Sequence, residues 1–119
     1  MPRTYKPWGK SVAIDLYNCD HETMVDPEGL KKFITELVKS VDMVAHGPCY
    51  IDRFGEGQLL GYSAMQFIET SSVTVHLDEV DNRAFVDVFS CKKFDESKAL
   101  AVAQRYFGTD KAKLTALER

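Results

Sequence analysis

Residues 69–91 read ETSSVTVHLDEVDNRAFVDVFSC, and the first half alternates apolar with polar side chains. Val73, Val75 and Leu77 interleave with Ser72, Thr74 and His76, a period of two that gives an extended strand one apolar and one polar face. Asp81-Asn82-Arg83 supplies turn residues, after which residues 84–91 alternate again, with Phe85, Asp87, Phe89 and Cys91 on one face. Strands joined by so short a connection pair antiparallel. This stretch therefore predicts a hairpin inside an antiparallel sheet.

The flanking segments extend that sheet and cover it. SVAIDLY, residues 11–17, reads as a first strand closed by Asn18, Cys19 and Asp20 as turn residues. Asp26 before Pro27 is a helix N-cap, and Leu30, Phe33, Ile34, Leu37, Val38 and Val41 recur at helical spacing. Gly47 and Pro48 break the pattern before a short strand at Cys49, Tyr50 and Ile51, and residues 59–68 read as another extended segment. Asp95 or Ser97 caps a second helix, with Ala99, Leu100, Ala103, Tyr106 and Phe107 as its apolar stripe and Gly108 as its stop. The polar residues 109–119 read as peripheral. The expected fold is α+β: an antiparallel sheet with two helices packed on one face. A sheet covered on one side only leads us to expect a homodimer.

Composition narrows the function. A chain of 119 residues suits one domain, 1–119. Its net charge of -3, with scattered lysines and arginines, lacks the basic footprint of a nucleic-acid binder. No apolar run approaches the ~20 residues that span a bilayer, and the opening MPRTYKPWGK lacks the apolar middle of a secretion signal, so a cytoplasmic protein is expected. Cys19, Cys49 and Cys91 are an odd number at irregular spacing, which argues against a disulfide framework. His21, His46 and His76 offer no ligand pairing, and no metal is expected.

Within ETSSVTVHLDE lie hydroxyls and an imidazole, and a thiol, Cys91, follows fifteen residues after His76. An imidazole exchanges protons near neutral pH, and a thiol acts as acid or nucleophile. The alternation alone also accounts for Ser72, Thr74 and His76 as the solvent face of an amphipathic strand. A thiol hydrolase built on Cys91, His76 and Asp87 has suitable residue types but no nucleophile elbow or oxyanion-hole motif.

The longer stretch GYSAMQFIETSSVTVHLDEVDNRAFVDVFSC, residues 61–91, resembles the core of prokaryotic S-adenosylmethionine decarboxylase proenzymes, with spacings that match without gaps. WGKSVAIDLYNCD, from Trp8, resembles that family's opening strand, and Asp52-Arg53-Phe54 resembles a segment just before the site. The resemblance implies a pyruvoyl-dependent carboxy-lyase acting on a small amino-acid substrate. It puts Ser63 at the processing serine, Ser71 at the serine that becomes the pyruvoyl cofactor, His76 at the processing histidine and Cys91 at the catalytic cysteine. It further implies autocatalytic cleavage between Thr70 and Ser71 into a beta chain, 1–70, and an alpha chain, 71–119. The product would serve spermidine synthesis, and the mature form would be a homodimer of cleaved protomers.

The chain departs from the family pattern at three places. Thr70 stands where the family has glutamate, Ser72 where a histidine is common, and Leu77-Asp78-Glu79-Val80 where relatives continue Thr-Trp-Pro-Glu. Phe54, Asp78 and Glu79 are accordingly the candidate substrate-binding residues. An acidic loop in place of the tryptophan makes L-ornithine or L-arginine the alternative substrates. A non-catalytic binding or regulatory homologue is the alternative of another class.

Overall fold

The computed structural model describes residues 5–119; the first four residues of the expected 1–119 domain lie outside the described residues. β1 (Lys10–Leu16) leads to a one-turn helix α1 (His21–Met24), helix α2 (Pro27–Ser40) and β2 (Ala45–Phe54). A 3-10 turn at Gly57–Leu59 precedes β3 (Gly61–Ile68), β4 (Ser71–Asp78), β5 (Arg83–Ser90), helix α3 (Glu96–Phe107) and β6 (Ala112–Glu118). The six strands form one sheet in the order β2-β3-β4-β5-β1-β6, and every neighbouring pair is antiparallel. The expected α+β sheet with helices on one face is the observed fold.

The two longer helices, α2 and α3, form where the sequence caps them. The Asp26 carboxylate accepts from Gly29 N at 2.9 Å, Pro27 fills the first turn, and Leu30, Phe33, Ile34, Leu37 and Val38 are buried. Asp95 rather than Ser97 is the N-cap of α3, accepting from Ser97 N, and Gly108 ends it in the left-handed conformation at φ 67°. Phe33 of α2 stacks on Tyr106 of α3 at 4.9 Å and meets Phe107 edge-on at 5.1 Å. That aromatic cluster locks the two helices together over the sheet, α2 against β2 and β3, α3 against β1. The apolar layer beneath them is Val12, Ile14 and Leu16 of β1, Val73 and Val75 of β4, and Ala84, Val86 and Val88 of β5.

Three elements differ from the sequence expectation. Asn18-Cys19-Asp20 does not lead straight to α2; it leads into α1, whose Met24 is fully buried. The strand expected at residues 49–51 runs from Ala45 to Phe54, with a register irregularity between Ala45 and Cys49. Buried Gln66 fills that bulge, donating to the carbonyls of His46 and Gly47. Residues 112–118, expected to be peripheral, are β6, paired with β1 along its whole length.

The opposite face of the sheet carries no helix among the described residues. The register sets rows across it: Asp52, Ser63, His76, Phe85, Asp15 and Lys113 in one, and Tyr50, Met65, Thr74, Asp87, Ala13 and Thr115 in the next. A third holds Phe67, Ser72, Phe89, Ser11 and Leu117. The apolar members Tyr50, Met65, Phe67 and Leu117 are exposed. Ser72, Thr74, His76 and Asp87 stand on this bare face, as the alternation requires, whereas Ser71 shares the parity of Val73 and Val75 and pairs with buried Ser90.

Candidate active site

β3 and β4 are joined by a two-residue turn, Glu69–Thr70, with Ile68 paired to Ser71. Two-residue hairpin turns favour residues with positive φ at their centre, usually glycine or asparagine. Neither is present, and the unusual dihedral falls instead on Ser71, at φ 153°. Conformations of this kind in a residue with a side chain cost on the order of 1–3 kcal/mol and persist only where neighbours enforce them.

The neighbours are at hand. Cys91 N donates to the Thr70 carbonyl at 3.0 Å. On the helix side a relay runs from Lys92 N to Ser90 Oγ at 3.0 Å, from Ser90 Oγ to Thr70 Oγ1 at 2.8 Å, and from Thr70 Oγ1 to Met43 Sδ at 3.2 Å. Ser90 is fully buried, whereas Ser71 is half-buried and Cys91 exposed. Cys91 lines a cleft of about 320 Å³ together with Trp8, Gly9, Lys10 and Phe94. Gly9 is required there because a Cβ would lie 2.5 Å from the Ser90 carbonyl. Trp8 keeps 63% of its surface exposed, one ring edge tilted on Phe89 at 5.7 Å.

A second group lies farther along the bare face. Ser63 and His76 are register partners on β3 and β4, and Ser63 Oγ and His76 Nδ1 are hydrogen-bonded at 2.9 Å. Asp87, diagonal to His76, has its carboxyl pushed above the ordinary carboxylate value by burial; the His76 charge offsets this and Asp15 adds to it. Because His76 Nδ1 is taken by Ser63 and Cys91 lies six residues beyond the His76 partner Phe85, roughly 20 Å along the strand, the Cys91–His76–Asp87 triad is not assembled within one protomer. His76 likewise stands five residues from Ser71, roughly 16 Å.

Phe54, Asp78 and Glu79 sit at the far end of the sheet, on the His76 side. Phe54 is exposed. Glu79 receives both Nε and Nη2 of Arg53, at 2.9 and 2.7 Å, and this hydrogen bonding holds its carboxyl below the ordinary range. Burial raises the Asp78 carboxyl, but Arg83, 2.6 Å away, and the backbone N–H groups of Asp81 and Val80 outweigh it and bring it down. Both carboxylates are thus already matched with guanidinium groups, and neither is free for the distal cation of an amino-acid substrate.

The structure therefore gathers Thr70, Ser71 and Cys91 at one end of β4 and Ser63 and His76 toward the other. Sequence reading missed Ser90 and Trp8. Ser90 was legible as the one polar residue in the inward series Ala84, Val86, Val88, Ser90; Trp8 is the sole tryptophan, next to the glycine that lets the chain pass Cys91. Among the described residues no helix is long and apolar enough to cross a membrane, and no three His, Cys, Asp or Glu side chains gather as a metal-ligand set.

Comparison with known proteins identifies the family and the fold. A protein from Sulfurisphaera tokodaii named S-adenosylmethionine decarboxylase proenzyme is 32% identical over 92 residues, covering 74% of this chain and 68% of that protein. A proenzyme of the same name from Clostridium botulinum (strain Loch Maree / Type A3) is 24% identical over 112 residues, 93% of each chain. The crystal structure of the adenosylmethionine decarboxylase from Aquifex aeolicus superposes with a TM-score of 0.78 at 21% identity, covering 97% of this chain and 92% of that one, and so shares the fold. The S-adenosylmethionine decarboxylase family model matches residues 10–119, which places the protein among the carboxy-lyases. The chain belongs to the S-adenosylmethionine decarboxylase family.

Proposed function

We propose that the chain is a proenzyme that cuts itself between Thr70 and Ser71, converts Ser71 to a pyruvoyl group and decarboxylates S-adenosylmethionine in the cytoplasm, supplying spermidine synthesis. The observation that carries this reading is the scissile peptide: its carbonyl already accepts a hydrogen bond from Cys91 N at 3.0 Å, beside a serine held at φ 153°. Ser71 Oγ attacks the Thr70 carbonyl carbon, the C–N bond breaks and an ester replaces the amide, relieving the backbone strain. A base then removes the Ser71 α-proton, the Thr70 carboxylate departs with the ester oxygen, and hydrolysis of the resulting dehydroalanine releases ammonia and leaves the pyruvoyl group.

His76 is suited to be that base: in the tautomer whose Nδ1–H donates to Ser63 Oγ, Nε2 is left free to take a proton. The roughly 16 Å between His76 and Ser71 along β4 favours its delivery by a second copy, so we read the working unit as a homodimer with two composite sites. The bare face and its exposed apolar residues support that reading.

A pyruvoyl carbonyl supplies an electron sink for the departing carboxylate. Cys91, exposed in the cleft beside Ser71's end of the strand, is our candidate to return a proton to the substrate α-carbon. Trp8 offers a broad aromatic surface in the same cleft, suited to a purine. The arginine-paired Asp78 and Glu79 argue against ornithine and arginine as substrates. Three free thiols accord with a reducing compartment.

Intact mass under denaturing conditions tests the maturation: fragments of 70 and 49 residues (119 minus 70), the second with a pyruvoyl terminus, are expected. Carbon dioxide release from S-adenosylmethionine, and not from ornithine or arginine, tests the substrate. A single uncut chain after long incubation would sink the reading.

A further inference from the structure

The mechanism above uses the Thr70 carbonyl and leaves its side chain without a task, yet that hydroxyl has a hydrogen-bond partner on each side. Thr70 Oγ1 accepts from Ser90 Oγ at 2.8 Å and donates to Met43 Sδ at 3.2 Å. Ser90 Oγ in turn accepts from Lys92 N at 3.0 Å. One fully buried hydroxyl therefore performs two tasks. It shapes the Ser90–Lys92 turn that aims Cys91 N at the Thr70 carbonyl, and it grips the Thr70 side chain from the opposite side of the peptide.

We propose that Ser90 and Thr70 form a latch that positions the scissile peptide for self-cleavage; the role rests on the cleavage reading. Attack by Ser71 Oγ requires the Thr70 carbonyl plane to be fixed relative to the nucleophile. A two-residue turn without glycine relaxes by rotating the Thr70–Ser71 peptide, which lets Ser71 leave φ 153° and swings the carbonyl off Cys91 N. Held at both carbonyl and side chain, Thr70 cannot rotate, and the distortion at Ser71 is maintained until the bond breaks. Threonine at this position is short enough to be held from within the sheet, whereas the glutamate expected from the family pattern could not fit the 2.8 Å contact to Ser90 Oγ in the same way. Ser90 and the Thr70 side chain are positioning groups: neither hydroxyl takes part in the bonds that are exchanged.

The test follows conversion of the freshly synthesised full chain into fragments by mass, after cell-free translation and timed quenching. Ser90→Ala and Thr70→Val, the second of which keeps shape and removes only the hydroxyl, should each slow cleavage by about tenfold, the effect of one lost neutral hydrogen bond in a water-poor site. The double variant should be no slower than either single one, because both remove the same contact. Ser90→Thr should restore the rate. The same changes made on the uncleavable Ser71→Ala chain give their effect on melting temperature; a latch slows cleavage in Thr70→Val even where melting is unchanged. Wild-type cleavage together with an unaltered rate in both Ser90→Ala and Thr70→Val overturns the latch alone, as does a double variant slowed by the product of the single effects. A wild-type chain that never cleaves overturns the cleavage reading and the latch with it.

Discussion

Ser71 carries two properties that can be separated by substitution. In the proposed cleavage it is the nucleophile and needs its hydroxyl; as a strained residue it needs only a Cβ at φ 153°. Ser71→Ala should therefore remain one chain and keep the strain, while Ser71→Gly should also remain one chain but lose it. Allowing for glycine's greater chain entropy, Ser71→Gly should be the more stable by about 1 kcal/mol, or roughly 4 °C in melting temperature. Equal melting temperatures would mean that the backbone at Ser71 stores nothing. Asp87 gives a pH test on the same uncleavable background. Its folded-state carboxyl sits above the ordinary 3.8 because burial disfavours the charge, so the folded state holds the proton longer than the unfolded chain and the charge is a liability at neutral pH. Asp87→Asn should gain stability as pH rises through 3.8 and keep that gain above the raised folded value. Neighbouring atoms crowd the carboxyl, yet the residue remains exposed at the surface, and solvent screening there limits the gain to no more than about 0.5 kcal/mol; no difference between pH 3 and pH 7 would remove the assigned cause. At this scale the resemblance to the family pattern singled out Ser63, Ser71, His76 and Cys91, because spacing is linear information. Ser90 stands out in the sequence only as a polar residue in an inward series; which hydroxyl it meets is visible only once the strands and the β3–β4 turn are in place.

Elements were legible where burial imposes a period. α2, β4 and β5 each bury a continuous stripe, and their residues announce it. β6 has no such stripe: Ala112 and Leu114 are half-buried and the remaining residues are mostly exposed, so only backbone pairing to β1 makes it a strand. That pairing has a task near the cleft. Trp8 N and Gly9 N donate to the Arg119 carbonyl, and Arg119 N donates to the Gly9 carbonyl, so β6 fixes the segment bearing Trp8. Truncation after Asp110 should leave cleavage intact, since Thr70, Ser71 and Ser90 contact nothing on β6 in the register, while raising KM for S-adenosylmethionine more than it lowers kcat. A truncated chain with unchanged KM would show that Trp8 needs no such support or contributes nothing to binding.

The whole molecule places its two groups of reactive side chains too far apart to serve one another. Mixing a Ser71→Ala chain with a His76→Ala chain tests whether a second copy bridges them. Each alone should stay uncut; co-expressed, the His76→Ala partner should be cut, because it keeps Ser71 and meets an intact His76 across the proposed dimer. Cleavage of His76→Ala on its own would remove His76 from the processing step. The sheet order adds a consequence of the proposed cut. Residues 1–70 hold β1, β2 and β3, residues 71–119 hold β4, β5 and β6, and in the order β2-β3-β4-β5-β1-β6 the first strand of one piece is threaded between two strands of the other. The pieces could not drift apart without tearing open ladders on both sides of β1. Folding before the cut is a first-order event within one chain, whereas after it reassembly becomes second order in two fragments, one of which has lost the serine that could rejoin them. A mature molecule would then owe its architecture to its history, with denaturation a door that opens easily in one direction only.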